Sequence, residues 1–448
     1  MRKRIFSAYL ALVILFLYCF SLATSYFDNH ILNDTPGGHF PKLVFGQPQQ
    51  QPTSSLPQLK DEALMIEPVI EKGLLLPTSM VFLDNTTILV TQKDNGDLVA
   101  IVNGTIRTQP VISVNVNNEG LKGLLGIASA EKPSSNNTKF VFLYFSESLG
   151  GGGQTRNRVY RYEWNQASKA LVNGSVILDL PAETKSIHNG GKLETDGAGN
   201  IYVVIGDLGR DGQLQNVPAG APPDDTGVII RVLQNGSGTP DNPFFKSSNE
   251  RTHKYYAYGI RNSFGLAIDP ISGLLWDTEN GPDLYDEMNI VRPGFNSGWN
   301  QIMGPMRRSE ENRPDVGKEL TVLEGSKYAD PIFSWKDPVG LTDLEFLNST
   351  ALGPKYAYSL FVGDINNGNL YYFELNNNRT GIKTNNEVGQ LVDQVADDNG
   401  ERSDILFGSG FEGGITDIET GPDGFLYILT FAGSIYRILP RTDGNIYD

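Results

Sequence analysis

The chain has 448 residues, with 36 basic against 52 acidic side chains and a net charge of −16. That balance excludes nucleic-acid binding, which needs a basic footprint, and it suits a soluble domain at a cell exterior. Forty-nine glycines and 25 prolines, with 10% aromatic residues, predict many short strands separated by tight turns.

Arg2, Lys3 and Arg4 precede an apolar run from Ile5 to Ala23, and Ala23-Thr24-Ser25 offers a small-residue cleavage site. The run is about long enough to span a bilayer. Residues 1–25 are therefore expected to be a signal peptide or a membrane anchor. The rest of the chain is expected outside the cytoplasm, secreted or tethered to the outer face of the cell membrane. The lone cysteine, Cys19, falls inside the run and leaves the exported part without a disulfide. Residues 26–62, with the polar, Pro-rich stretch from Gly46 to Ser55, read as a flexible tether. Eight Asn-x-Ser/Thr sites follow, at Asn33, Asn85, Asn103, Asn136, Asn173, Asn235, Asn348 and Asn378. In an exported protein these are candidate glycan acceptors.

From 63 to 440 one pattern recurs, and 441–448 remains as a tail. A short apolar segment leads through a Gly/Asp/Pro turn into a run of β-formers. Leu193 leads through Asp196-Gly-Ala-Gly-Asn200 to Ile201-Tyr-Val-Val-Ile205, and Ile415-Thr-Asp-Ile418 leads through Gly421-Pro-Asp-Gly424 to Phe425-Leu-Tyr-Ile-Leu429. Six such units are counted, and further strands such as Val159–Tyr162 and Leu370–Phe373 follow them. The expected fold class is all-β, a six-bladed β-propeller, with its ligand site at one end of the central channel.

Gly408-Ser-Gly410-Phe-Glu-Gly413 fits a dinucleotide-loop pattern but precedes a strand and lacks the strand-to-helix context. Of four histidines (His30, His39, His188 and His253), only His188 opens a repeat, as His188-Asn-Gly-Gly191. An imidazole there could act as a general base, with the glycines letting the backbone approach a ligand. A histidine in an ordinary Gly-rich turn is the other reading of the same residues.

The segments from His188 to Leu193, from Ile205-Gly-Asp to Arg210, Tyr258-Gly-Ile-Arg-Asn-Ser-Phe-Gly-Leu-Ala267, and Glu279-Asn-Gly-Pro-Asp-Leu-Tyr-Asp-Glu287 followed by Gly298-Trp299 resemble, in order, the soluble quinoprotein sugar dehydrogenases of the glucose/sorbosone dehydrogenase family. That resemblance implies a six-bladed propeller that uses pyrroloquinoline quinone (PQQ) and calcium to oxidise an aldose at C1 to the lactone, passing electrons to an external acceptor. It assigns His188 as the catalytic base and Arg261 as a catalytic and cofactor-binding residue. Asn262, Asn280 and Asp286 become cofactor contacts, and Gly281, Pro282 and Glu287 the calcium site.

The chain departs from the family where three cations should meet the cofactor carboxylates. Asn366 stands at the Lys position, and Gly414 and Thr416 at the Arg positions, while Leu121 and Phe264 replace glutamines. A buried carboxylate without a cation or donors is costly, and Lys122 and Arg210 are the candidate substitutes. Two alternatives follow: a calcium-stabilised, non-catalytic surface propeller that binds a glycan or protein, or a propeller lactonase or esterase.

Overall fold

The runs of β-formers are strands, and they sort into six mainly antiparallel sheets. The structure, a computed structural model, describes residues 56–441 apart from 134–137, 151–153, 184–185, 311–312, 314 and 384–390. The expected segment 1–25, most of the tether, Cys19, His30, His39, the sites at Asn33 and Asn136, and the tail after residue 441 lie outside the described residues. Among the described residues no helix is long and apolar enough to cross a membrane.

The innermost strands, in chain order, are Pro77–Asp84, Leu124–Glu131, Leu193–Thr195, Gly265–Ile268, Leu341–Phe346 and Ile415–Thr420. Each pairs outward with a second strand, that one with a third, and further strands complete the sheet. The last sheet is completed by an early strand, Leu64–Ile70, paired with Ile435–Pro440. Middle strands such as Thr87–Gln92 and Ile201–Ile205 are buried at every position, because each sheet is packed on both faces. Six apolar clusters fill the spaces between successive sheets: Phe142 with Val203, Val204 with Leu266, Trp276 with Phe346, Phe361 with Ile415, Leu429 with Met80, and Leu89 with Leu143. The interface of Leu429 with Met80 joins the end of the domain to its beginning. The fold is an all-β propeller.

Radial packing splays the innermost strands apart, so side chains serve their open edges. Met80 N donates to Asp417 Oδ2 at 2.7 Å, Ile418 N to Asp343 Oδ2 at 3.0 Å, and Thr420 N to Glu345 Oε1 at 3.1 Å. Thr78 and Thr342 hydroxyls donate to Leu124 O and Ile415 O, both at 2.8 Å. The channel wall therefore carries Glu194, Asp343, Glu345, Asp417 and Glu419 around one cation, Lys192. Burial pushes the Glu194 carboxyl up to about 8 and that of Glu345 to about 7. Folded-state values above the unfolded one mean that the protonated form is favoured by folding. This stability is fully present below about 4.5 and is lost as pH rises through about 8 for Glu194. Glu194→Gln is expected to flatten the fall in melting temperature across that window, measured by thermal melts at stepped pH; an unchanged slope would clear Glu194 of this role.

The antiparallel order gives the ring two distinct ends. One carries the turns between first and second strands and between third and fourth. The other carries the connections between second and third strands and those entering each innermost strand.

Candidate functional site

His188 lies in the connection entering the third innermost strand, with φ of 51°, a left-handed conformation that side-chain-bearing residues seldom adopt. Its Nδ1 is 2.6 Å from Asp207 Oδ1. Asp207 stands where the second strand of the same sheet, Ile201–Ile205, ends. Its carboxylate also accepts from Gly209 N and from Trp299 Nε1, both at 2.7 Å. An anionic acceptor at Nδ1 fixes the proton there and leaves Nε2 as the lone-pair nitrogen.

Arg261 comes from the connection entering the fourth innermost strand. Asp207 N donates to Arg261 O at 2.9 Å, so the two loops share one backbone bond. The Arg261 side chain donates from Nη1 to Asn280 O at 2.8 Å and lies 5.2 Å from the Trp299 ring centre. Its Nε, and Oδ1 of neighbouring Asn262, are buried without a hydrogen-bond partner. Burial pulls the guanidinium below its usual range, while the carboxylates of Asp207 and Asp286 oppose that shift. Asn280 is itself held by Nδ2 donating to Leu341 O at 2.8 Å. A donor group thus stands beside an oriented imidazole, with unsatisfied polar atoms between neighbouring loops.

Gly206 is the spacer of this arrangement. A Cβ on it would lie 2.4 Å from His188 O and 2.6 Å from Arg261 O. Gly206→Ala is therefore expected to force the two loops apart, costing about 1–3 kcal/mol. A lower urea midpoint at unchanged m would show this, and an unshifted midpoint would refute the spacer role.

The acidic segment divides between two faces of one strand, Asp286–Val291. Asp286 bonds Gly281 N at 3.0 Å and, on its other oxygen, Val339 N and Gly340 N at 2.9 and 2.7 Å. Burial raises it to about 6 against these bonds. Asp286 thus shapes the loop of Asn280 and Gly281. Glu287 turns to the other face, as alternation requires, where it accepts from Gly304 N at 2.5 Å. There it joins Glu279 and Asp277; sequence reading picked out neither as a ligand. Both Asp277 carboxyl oxygens and Asn289 Oδ1 are buried without partners. Burial pushes Asp277 and Glu287 well up, each reinforced by the neighbouring Glu279. Among the described residues no three His, Cys, Asp or Glu side chains are already drawn to metal-ligand distances.

The replacement cations differ in kind. Arg210 is neutralised by Glu183 and Asp224. Lys122 is 2% exposed and its nearest carboxylate, on exposed Glu119, is 3.8 Å away. Its loop meets the one before His188 through Leu121 N donating to Ser186 O at 3.0 Å. Gly414, where an arginine was expected from the resemblance, has φ of 87°, and a Cβ there would meet Ile365 O at 2.1 Å. The neighbouring sheet's loop occupies that space, so no side chain fits there.

Residues 74–437 match the family model described as Glucose / Sorbosone dehydrogenase. The chain is 29% identical over 378 residues to Aldose sugar dehydrogenase YliI of Escherichia coli, covering 83% of this chain and 92% of that protein. It is 27% identical over 258 residues to Quinoprotein glucose dehydrogenase B of Acinetobacter calcoaceticus, covering 53% and 52%. A solved glucose dehydrogenase structure superposes with a TM-score of 0.67 at 25% identity, covering 84% of this chain and all of the other. With the matched region spanning all six sheets, the chain belongs to the glucose/sorbosone dehydrogenase family.

Proposed function

We propose that this protein is a PQQ- and calcium-dependent dehydrogenase that oxidises an aldose at C1 to the lactone. The observation that carries the reading is the oriented His188–Asp207 pair joined through one backbone bond to Arg261. The quinone-facing residues fit the cofactor: unpartnered Arg261 Nε and Asn262 Oδ1 await a ligand, and Asn280 holds the guanidinium in place. Bound there, PQQ supplies the two-electron acceptor for the hydride that leaves C1. His188 Nε2 takes the proton of the C1 hydroxyl, Asp207 stabilises the imidazolium, and Arg261 stabilises negative charge that develops beside it. Lys122 is the remaining cation for a cofactor carboxylate. An external carrier takes the electrons, since the chain has no C-x-x-C-H haem motif.

Calcium, a hard cation, takes oxygen ligands. Glu287, Glu279 and the unpartnered Asp277 offer them on one strand face, and the backbone carbonyls of Gly281 and Pro282 offer them at the mouth. Calcium is expected to stabilise the chain by about 2.7 kcal/mol at a hundredfold excess over Kd, and Asp277→Asn to diminish that gain. Melts in calcium and in chelator measure it.

The six sheets support six blades, each sheet one blade. The tether expected over 26–62 is shorter than that, because Gln58–Leu59 pairs with Leu406–Ser409 as a strand of the fifth sheet. The domain is proposed to follow a tether that ends before this strand and an N-terminal signal or anchor over 1–25, which would place it outside the cytoplasm. Titrating PQQ into the calcium-loaded full chain, with aldoses and a dye acceptor, tests the enzyme reading. Micromolar or tighter binding with dye reduction supports it. A second reading, a repurposed propeller binding glycan or protein or hydrolysing a lactone or ester, is favoured by the closed position at Gly414. Calcium stabilisation without PQQ binding would select it.

A further inference from the structure

Six Asn-x-Ser/Thr sites fall on described residues: Asn85, Asn103, Asn173, Asn235, Asn348 and Asn378. All six asparagines are exposed. Asn85 and Asn348 follow the innermost strands Pro77–Asp84 and Leu341–Phe346, in first-to-second connections. Asn103, Asn235 and Asn378 follow third strands, and Asn173 lies near the start of a fourth, Ala170–Leu180. Every one of these positions is on the same end of the ring, the end away from His188 and Arg261.

The mouth end carries at least as many connections as the other, because the last sheet, completed by Leu64–Ile70, has no third-to-fourth connection, so exposed asparagines alone would not sort this way. The mouth end is itself rich in asparagine, with Asn95, Asn118, Asn280 and Asn366 in its connections, and none of these is followed by the x-Ser/Thr that makes an acceptor. Turn chemistry explains the asparagines of Asn103-Gly104 and Asn173-Gly174, which have φ of 49° and 55°. It does not explain the hydroxyl residues at Thr105 and Ser175. We propose that the exported protein carries N-linked glycans on this one end, which leaves the mouth as the bare face open to substrate and to a macromolecular partner.

The proposal rests on the export reading above. The full chain, recovered after export from a host that N-glycosylates, is treated with a glycan-releasing amidase in heavy-oxygen water, which labels each former glycan site. Label at most of the six asparagines is expected, and label at none or a minority overturns the proposal. Electron microscopy of the lectin-bound chain is expected to show density at one end of the ring. Density at both ends in the native chain also overturns it. Ala219→Asn with Ala221→Thr, which writes an acceptor into the mouth-end connection after Ile201–Ile205, provides the two-ended control. PQQ titration of the same preparation separates the two readings. A glycosylated chain that binds no PQQ loses the dehydrogenase reading and keeps this one, and a bare chain that binds it does the reverse.

Discussion

Asp207→Asn is expected to lower aldose oxidation by about 10²–10⁴-fold, close to the loss in His188→Ala, because in the mechanism proposed above both remove the general base. Asp207 Oδ1 accepts from the imidazole and Oδ2 from Trp299. An amide at this position can satisfy Trp299 with its oxygen only by turning its NH2 toward His188 Nδ1. The ring then carries its proton on Nε2 and cannot accept one from the sugar hydroxyl. Gly209 N, which donates to the same Oδ1, loses its acceptor, so a modest fall in melting temperature is expected, with PQQ affinity close to wild type and kcat falling far more. That split distinguishes a positioning role from a packing role, which would move stability instead. Dye-linked rates across pH, with PQQ titrations alongside, make the measurement. A kcat within about threefold of wild type would place the base elsewhere.

How much of this site could be read from the sequence depends on how far apart its partners lie. Ile201–Ile205 declares itself because solid β-branched runs bounded by Asp196-Gly and Gly206 have one reading, and the Gly-Gly after His188 marks a place where chains crowd. Asp207 was visible as part of a motif, yet its role as partner of His188 was not, since nothing in local spacing says which loop a side chain faces. Trp299, 92 residues from Asp207, is further out of reach. The resemblance singles out Glu287 as a metal ligand, but it gives Glu279 only as the start of the same segment and leaves Asp277 outside it. Only the pairing of Glu279 with Glu287 and Asp277 with Asn289 shows that their side chains share a face. Gly414 read as a missing arginine; the Ile365 carbonyl against it shows that the chain has also closed the space.

Lys192→Met is expected to destabilise the domain by about 3–5 kcal/mol, the usual cost of leaving a buried charge unpaired. Lys192 Nζ lies 2.8 Å from Asp343 and 2.5 Å from Asp417, and both carboxylates are 1% exposed. Burial opposes the ammonium, but these two charges hold it well above its ordinary range. Asp417 is 225 residues away in sequence, and each carboxylate also caps a backbone N–H of the next innermost strand. Lys192 therefore ties the third, fifth and sixth sheets across the channel, and its loss is felt by the ring as a whole. Burial already pushes Asp343 well above the ordinary carboxylate range, and without the ammonium that push grows. Stability is then lost as pH rises, so the deficit of the variant should be largest at alkaline pH and shrink on acidification. Adding Asp343→Asn and Asp417→Asn to Lys192→Met removes the unpaired charges while keeping acceptors for Met80 and Ile418, and should recover much of the loss. Urea denaturation of the three proteins, with m compared across them, decides the matter. A single variant as stable as wild type at neutral pH would mean that water reaches the channel and already screens the pair.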